Sequence, residues 1–323
     1  MAGKLVISLD LELMWGVRDH RSIQDYGDAV LGGRQAISDL LRRFSANNIR
    51  ATWAAVGLLF ARNRDEMIDF SPDQKPTYHD KRLSPYDFIR SGVGLNEKED
   101  PLHFGRSLID QIAGTPGQEL ATHSYSHYYC LEPGQTVDQF SADIASALNI
   151  AKEAGHNIRS IVFPRNQMGP QHIKCCKNHG IDNFRGNPNS FLYRPMSGSD
   201  NGKIVRGFRL LDSILPVSRN LSYQSLPVLE GANDVRASRF LRPYNSRFPL
   251  YSKLHQHRIK SEMEYAAKSG SVYHLWWHPH NMGRDIPSSM EQIDVLISKF
   301  NQLRDDYGME SVAMSDLSAT QLS

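Results

Sequence analysis

Two histidines separated by three residues, His123 and His127, stand in the stretch Glu119-Leu-Ala-Thr-His-Ser-Tyr-Ser-His127. On one turn of helix, residues i and i+4 lie on the same side, so this spacing predicts two imidazoles turned toward one point. Neutral imidazole is a common ligand for a divalent ion, and two of them leave room for a carboxylate and water. Two acids come from near the N-terminus, where the apolar run Lys4-Leu-Val-Ile-Ser-Leu-Asp10 ends in Asp10, Leu11 and Glu12. In an extended segment Asp10 and Glu12 face the same way and Leu11 faces the other. Among 13 histidines, His-x-x-x-His is also the pattern of two surface or capping residues, and Asp-x-Glu also that of two solvated loop acids.

The elements that must position these groups alternate along the chain. Lys4–Asp10 has the β-branched, continuously apolar look of a buried parallel strand. Gly32 to Asn48 carries Ala36, Ile37, Leu40, Leu41 and Phe44 at helical period, and Arg50–Gly57 follows as a strand. Residues 63–116 are polar and rich in Pro, Gly and Asp, an excursion expected to hold short helices of its own. Leu120-Ala-Thr122 can end a strand. Thr136 to Ala154 reads as an amphipathic helix, Arg159–Phe163 as a strand, Gln171 to His179 as a short helix and Ile181–Phe184 as an approach to Arg185. Residues 188–256 lack clear periodicity, hold Arg206, Arg236 and Arg242 among others, and are expected to cover one mouth of the fold. Ile259–Ala267 and Ile293–Leu303 read as helices, Ser271–Asn281 as a strand ending in polar residues, and Ser311–Leu317 as a last short strand. Unusual residues at the ends of strands in an alternating β/α chain predict a distorted parallel (β/α) barrel of seven or eight strands, one domain over 1–323 with long insertions at about 63–116 and 188–256.

The chain has 323 residues, of which 40% are hydrophobic and 22% charged, the composition of an ordinary globular protein. Its 37 basic and 35 acidic residues are interleaved, so neither nucleic acid nor a membrane surface is an expected partner. Cys130, Cys175 and Cys176 form neither a zinc-ribbon spacing nor a disulfide framework, which suits a reducing compartment. No signal peptide is expected, because the N-terminal apolar run is broken by Asp10 and lacks a cleavage site. No window approaches the roughly 18 apolar residues of a membrane span. A cytoplasmic location is expected.

In order, Ser-Leu-Asp-Leu-Glu, Ala-Thr-Trp with Gly57, Glu-Leu-Ala-Thr-His-Ser-Tyr-Ser-His, Phe-Pro-Arg-Asn and Trp-Trp-His-Pro-His resemble the polysaccharide deacetylase family, carbohydrate esterase family four or the NodB-homology domain. The matches run from about residue 4 to residue 317. The resemblance implies a distorted (β/α) barrel that removes acetyl groups from glycans with one divalent ion, Zn first and Co, Ni or Mn as alternatives. It implies Asp10 as catalytic base, His123 and His127 as metal ligands, and Glu12 as third ligand, since Leu11 replaces the second aspartate of the common pattern. Phe163-Pro-Arg-Asn-Gln replaces the usual Arg-Pro-Pro segment, displacing Arg165, the expected partner of Asp10, by one place. The family's fourth motif is not recognisable, and Phe184-Arg-Gly-Asn187 stands near its place. His278 is the expected acid, with His280 its rival; Asn166, Arg185, Trp276 and His280 are expected to bind substrate, and one of Trp276 and Trp277 to pack in the core.

The expected reaction is metal-dependent hydrolysis of an N-acetyl group on an amino sugar in a polysaccharide or glycan precursor. Another C–N hydrolase, such as a deformylase or cyclic imidase, is the alternative of the same class. A silent carbohydrate-binding relative is the alternative of another class, for which the set Asp10, His123, His127 and His278 has no use.

Overall fold

The computed structural model of the chain describes residues 1–197 and 202–317. Residues 198–201, part of the expected 188–256 insertion, lie outside the described residues. The first half contains β1 (Lys4–Leu11), α1 (Ile23–Ala46), β2 (Ala51–Ala55), α2 (Arg64–Asp69), α3 (Tyr86–Ser91), α4 (Arg106–Ala113), β3 (Gln118–Thr122) and α5 (Val137–Glu153). It continues with β4 (Ser160–Ile161), α6 (Pro170–Asn178), β5 (Asn183–Phe184), α7 (Lys203–Asp212), β6 (Val228–Leu229), β7 (Ala232–Asp234) and β8 (Arg239–Phe240). The last elements are α8 (Pro249–Ser269), β9 (Val272–Trp277), α9 (Ile286–Tyr307) and β10 (Glu310–Val312).

The strands form one sheet in the order β6-β7-β5-β4-β3-β2-β1-β9-β8, with β10 also on β1. All pairings are parallel except β6 with β7. The sheet is curled. Val6, Ala54, Ala121, Val162, Val235 and Val272 come from different strands or strand ends, yet they form one inner cluster with Met314 and Leu317. The opposite face carries Leu5, Ile7, Leu9 and Leu11 of β1 into a larger outer core with α1 and α9. Both faces of β1 are therefore covered, which is why its sequence is apolar without alternation.

The expected α/β architecture with a distorted, mostly parallel sheet is present, but in place of seven or eight strands the sheet has ten among the described residues, and its ladder does not join β6 to β8. An irregular segment spans the interval instead. Val235 N–H donates to Phe184 O (2.9 Å) and Ala237 N–H to Gly186 O (2.8 Å), while Ser238 N–H donates to His274 O (2.8 Å). Strands of two and three residues cannot sustain a regular shear, so backbone hydrogen bonds from a bent chain do the joining.

Helix α1 begins nine residues earlier than the periodicity predicts, at Ile23, where the Ser22 hydroxyl accepts from Asp25 N–H (3.2 Å). Gly32 and Gly33, which read as a helix start, are interior positions of close approach. A Cβ on Gly33 would lie 2.7 Å from His280 Cα, and one on Gly32 2.1 Å from Gly283 O. The turn Pro279–Met282 that follows β9 thus rests directly on the helix backbone. The predicted last strand 311–317 is divided: β10 stops at Val312 and Met314–Asp316 is a 3₁₀ turn, its Asp316 carboxylate accepting from Ala313 N–H (2.7 Å).

No helix among the described residues is long and apolar enough to cross a membrane. Gly33→Ala should lower unfolding free energy by about 1–3 kcal/mol, the range for forced overpacking, measured by urea denaturation. Gly207→Ala, with nothing near its Cβ position on α7, should move stability upward by up to about 1 kcal/mol. Equal effects at the two glycines would remove the close-packing explanation.

Candidate active site

Alternation along β1 sends Ser8 and Asp10 inward and Leu9 and Leu11 outward into the core, as expected for Leu11. Asp10 meets a guanidinium, and it belongs to Arg185. Arg185 Nη1 donates to Asp10 Oδ1 (2.6 Å) and Nη2 to Oδ2 (2.8 Å), a two-pronged pair with the arginine side chain fully buried. Nη1 also donates to Ser8 Oγ (3.1 Å) and Nη2 to Asn166 Oδ1 (3.0 Å), and the guanidinium lies 4.0 Å over the Trp276 ring. Behind Ser8, His274 Nε2 lies 2.8 Å from the hydroxyl and His274 Nδ1 3.1 Å from Val235 O. Burial pushes the Asp10 carboxyl up, but the charge of Arg185, with those of His278 and His123, outweighs it and holds Asp10 below its ordinary range.

The expected partner, Arg165, is corrected: it pairs with Asp19, lies 3.9 Å from Glu132 and stacks 4.2 Å over Tyr129. The reason is local. Arg165 and Asn166 both have left-handed backbone (φ 54° and 53°), a turn that gives the Arg165 side chain to Asp19 and brings Asn166 to Arg185. Asn166 and Arg185, expected to bind substrate, are both engaged in holding Asp10.

The chain leaves the strand at Glu12, and Leu13 is left-handed (φ 47°). This turn carries the Glu12 carboxylate, buried, between two pairs of histidines. Oε2 lies 2.8 Å from His127 Nε2 and 3.4 Å from His123 Nε2. Oε1 lies 3.3 Å from His278 Nε2 and 3.8 Å from His280 Nε2. Gly16 makes the space, since a Cβ there would stand 2.0 Å from the Glu12 carboxyl carbon. Burial pushes Glu12 up, yet the charge of His278 and hydrogen bonds from His123 and His127 hold it well below the usual carboxylate range.

One oxygen and two imidazole nitrogens, all within 4.8 Å of one another, suit a tetrahedral ion, whose ligands stand about 3.4 Å apart at bonds of about 2.0–2.2 Å. His123 Nδ1 lies 2.8 Å from Val162 O, so Nδ1–H can donate to that carbonyl and Nε2 would be the nitrogen to ligate an ion in place of its hydrogen bond to Glu12. His127 packs edge-on against Tyr129 with ring centroids 5.1 Å apart. Burial lowers the His127 pKa to about 4, keeping the ring neutral as a ligand must be.

The histidine pair is not on a helix, which corrects the reading from the i, i+4 spacing. Strand β3 ends at Thr122, and the loop that follows has left-handed Ser124 and His127 (φ 60° and 59°). A buried carboxylate on α5 folds it. Asp143 accepts from Tyr125 N–H (2.7 Å), Ser126 N–H (3.1 Å) and the Ser126 hydroxyl, while Ser124 Oγ accepts from Tyr128 N–H (2.6 Å). Burial pushes Asp143 up to about 6 against these donors. Sequence reasoning missed Asp143. Its signal was a charged residue one place from the apolar stripe of Phe140, Ile144 and Ala147, on the buried face of the helix.

His278 caps the turn after β9, partly exposed, with Nε2 3.6 Å from Asp10 Oδ2. His280 is buried edge-on to Tyr26 (centroids 5.5 Å apart), and burial lowers its pKa to about 4. Trp277 packs in the core against Phe44, whereas Trp276 is half-buried and faces the site. A cavity of about 900 Å³ opens over Asp10, Glu12, His127, His278 and His280, with Arg206 at its side. It adjoins a second of about 300 Å³, lined by Trp276, His278, Asn187, Tyr193, Arg194 and Arg242. Arg236, by contrast, is tied to Asp234 (2.8 Å) and lines neither.

No family model and no curated protein matches the sequence. Solved structures do match the fold. A Mycobacterium smegmatis protein described as a candidate polysaccharide deacetylase superposes with TM-score 0.61 at 14% identity, over 99% of this chain and 90% of its own. A candidate polysaccharide deacetylase from Pseudomonas aeruginosa PAO1 gives 0.55 at 12% identity, covering 97% and 88%. An allantoinase gives 0.54 at 12% identity, also covering 97% and 88%. At these identities the likeness is one of fold.

Removing one partner of a buried pair leaves a bare charge, so Arg185→Met should cost about 3–5 kcal/mol at neutral pH. The pH dependence should also invert. In the wild type a lowered Asp10 pKa contributes stability present above the unfolded carboxyl pKa of about 3.9 and lost as pH falls through the folded value. Without Arg185, burial alone would raise that pKa, and the variant's deficit should shrink on acidification. Urea unfolding of both proteins between pH 4 and 8 measures this; a deficit that is constant with pH speaks against the pairing.

Proposed function

We propose that this protein is a metal-dependent hydrolase that removes an N-acetyl group from an amino sugar in a glycan or glycan precursor. The observation that carries this reading is the placement of an ionised, arginine-held aspartate beside a His₂-carboxylate set at the floor of one open cavity. Glu12, His123 and His127 would hold one divalent ion, Zn before Co, Ni or Mn. Such an ion supplies Lewis-acid polarisation of the acetyl carbonyl and acidifies water. Asp10, kept ionised by Arg185, takes the proton of the attacking water as general base. His278, open to the cavity and 3.6 Å from Asp10, gives a proton to the leaving amine. His280, buried behind it, orients the turn. Trp276 offers an aromatic wall to a sugar ring.

The whole chain would act as one catalytic domain, with insertions 63–116 and 188–256 shaping the mouth. The second insertion supplies Arg194 and Arg242 to the smaller cavity and Arg206 to the larger, which suits a substrate bearing phosphate or carboxylate, such as a cytoplasmic precursor. The fold shared with an allantoinase supports a second reading, opening of a cyclic amide.

Acetate release from N-acetylated sugar nucleotides, lost on chelation and restored by Zn²⁺ or Co²⁺, tests the first reading against cyclic ureides as the second. His123→Ala should abolish tight ion binding with far-UV circular dichroism unchanged. Activity that survives full chelation would rule the metal-dependent mechanism out. Arg242→Gln should raise KM for an anionic substrate several-fold more than it lowers kcat, the pattern of lost uniform binding. Steady-state kinetics decide it, and an unchanged KM would clear Arg242 of any part in recognition.

A further inference from the structure

Glu12 presents its two oxygens to two different histidine pairs. Oε2 belongs to His123 and His127, and the deacetylase reading uses it there. Oε1 faces His278 and His280 at 3.3 and 3.8 Å, and these three donors also lie within 4.8 Å of one another. We propose that Glu12 Oε1, His278 Nε2 and His280 Nε2 form a second divalent-cation position, with Glu12 bridging it to the first.

Both trios have one composition, a carboxylate oxygen and two imidazole Nε2 atoms, the donor set that borderline ions such as Zn²⁺ and Co²⁺ prefer. Both are preformed. In the second, Pro279 separates the two histidines, whose rings stack at 26° with centroids 5.1 Å apart, and the turn bearing them is seated on Gly33. The tautomer of His278 can be set from behind. The Asn281 amide lies 3.3 Å from His278 Nδ1, and its other end meets the Tyr26 hydroxyl at 3.1 Å. That hydroxyl both donates and accepts, so the amide can turn its oxygen toward Nδ1–H and leave the Nε2 lone pair toward Glu12.

The consequence rests on the proposed role of His278. A cation on Nε2 occupies the lone pair that would carry the transferable proton, so filling the second position removes the acid while the first ion stays in place. One ion supports turnover and a second arrests it. The larger cavity reaches both trios, so the second ion enters from solvent without displacing the first.

Isothermal titration of apo-protein with Zn²⁺, repeated with Co²⁺, tests this directly. Wild type should take up two ions in steps of different affinity, and His280→Ala only one. His278→Asn, at the partly exposed member of the pair, provides the same test should His280→Ala fail to fold. A wild type that binds a single ion, or a second ion that persists unchanged in both variants, overturns the proposal. His123→Ala separates the two claims: if it titrates as the wild type does, the deacetylase reading of the first trio fails, whereas a His280-dependent ion stands on its own. In steady-state assays, inhibition by excess Zn²⁺ should track the second binding step.

Discussion

A carboxylate carried into a protein interior either finds a cation or takes up a proton, because the cost of an isolated buried charge is several kcal/mol or more. Asp10 finds Arg185, and the geometry of the rest follows. The two residues belong to the ends of β1 and β5, which have β2, β3 and β4 between them in the sheet. A flat sheet would hold them about 19 Å apart at the strand spacing of about 4.8 Å. A two-pronged bond at 2.6 and 2.8 Å therefore requires the curl. The same curl brings the end of β3, with its two histidines, and the end of β9, with two more, around one opening.

Around that pair the structure uses uncommon backbone to aim side chains. Among the described residues, five of the seven non-glycine residues with positive φ, namely Leu13, Ser124, His127, Arg165 and Asn166, lie in the turns that leave β1, β3 and β4 at the site. Left-handed conformations outside glycine cost energy and persist where surrounding contacts over-determine them. Here those contacts are visible as the three donors on Asp143 and the Ser124 hydroxyl on Tyr128 N–H.

Much of this was legible in the sequence. Asp10 and Glu12 stand at the end of a run that reads plainly as a strand, His278 ends another, and His123 and His127 follow a short run that can end one, so their convergence was expected from the fold class, and alternation set the directions of Asp10 and Leu11. What was hidden depended on contacts between distant segments. Spacing of four residues suggests a helix, but side chain–backbone bonds from Asp143 and Ser124 override it. Arg165 and Arg185 both follow strand ends, and only the left-handed turn at Arg165 and Asn166 decides which guanidinium reaches Asp10. The two-residue strands β4, β5, β6 and β8 are too short to impose periodicity, and a sheet completed by the bent stretch 235–238 leaves no pattern from which strand number can be counted.

The internal neutrality of the Asp10–Arg185 pair has an electrostatic consequence at longer range. Asp10 also lies 3.6 Å from His278 but is matched by Arg185, so the charge of a dication held by Glu12 would be only half offset by that carboxylate. Arg206, Arg194 and Arg242 add to that sign at the rim of the two cavities. Asp19, Asp80 and Glu132 also line the larger cavity and offset part of that charge, and what remains would reach into solvent over a screening length of about 10 Å at 0.1 M salt. The encounter of an anionic molecule with such an opening would then be a rate that ionic strength controls, whereas the buried Asp10–Arg185 pair beneath it would be screened much less.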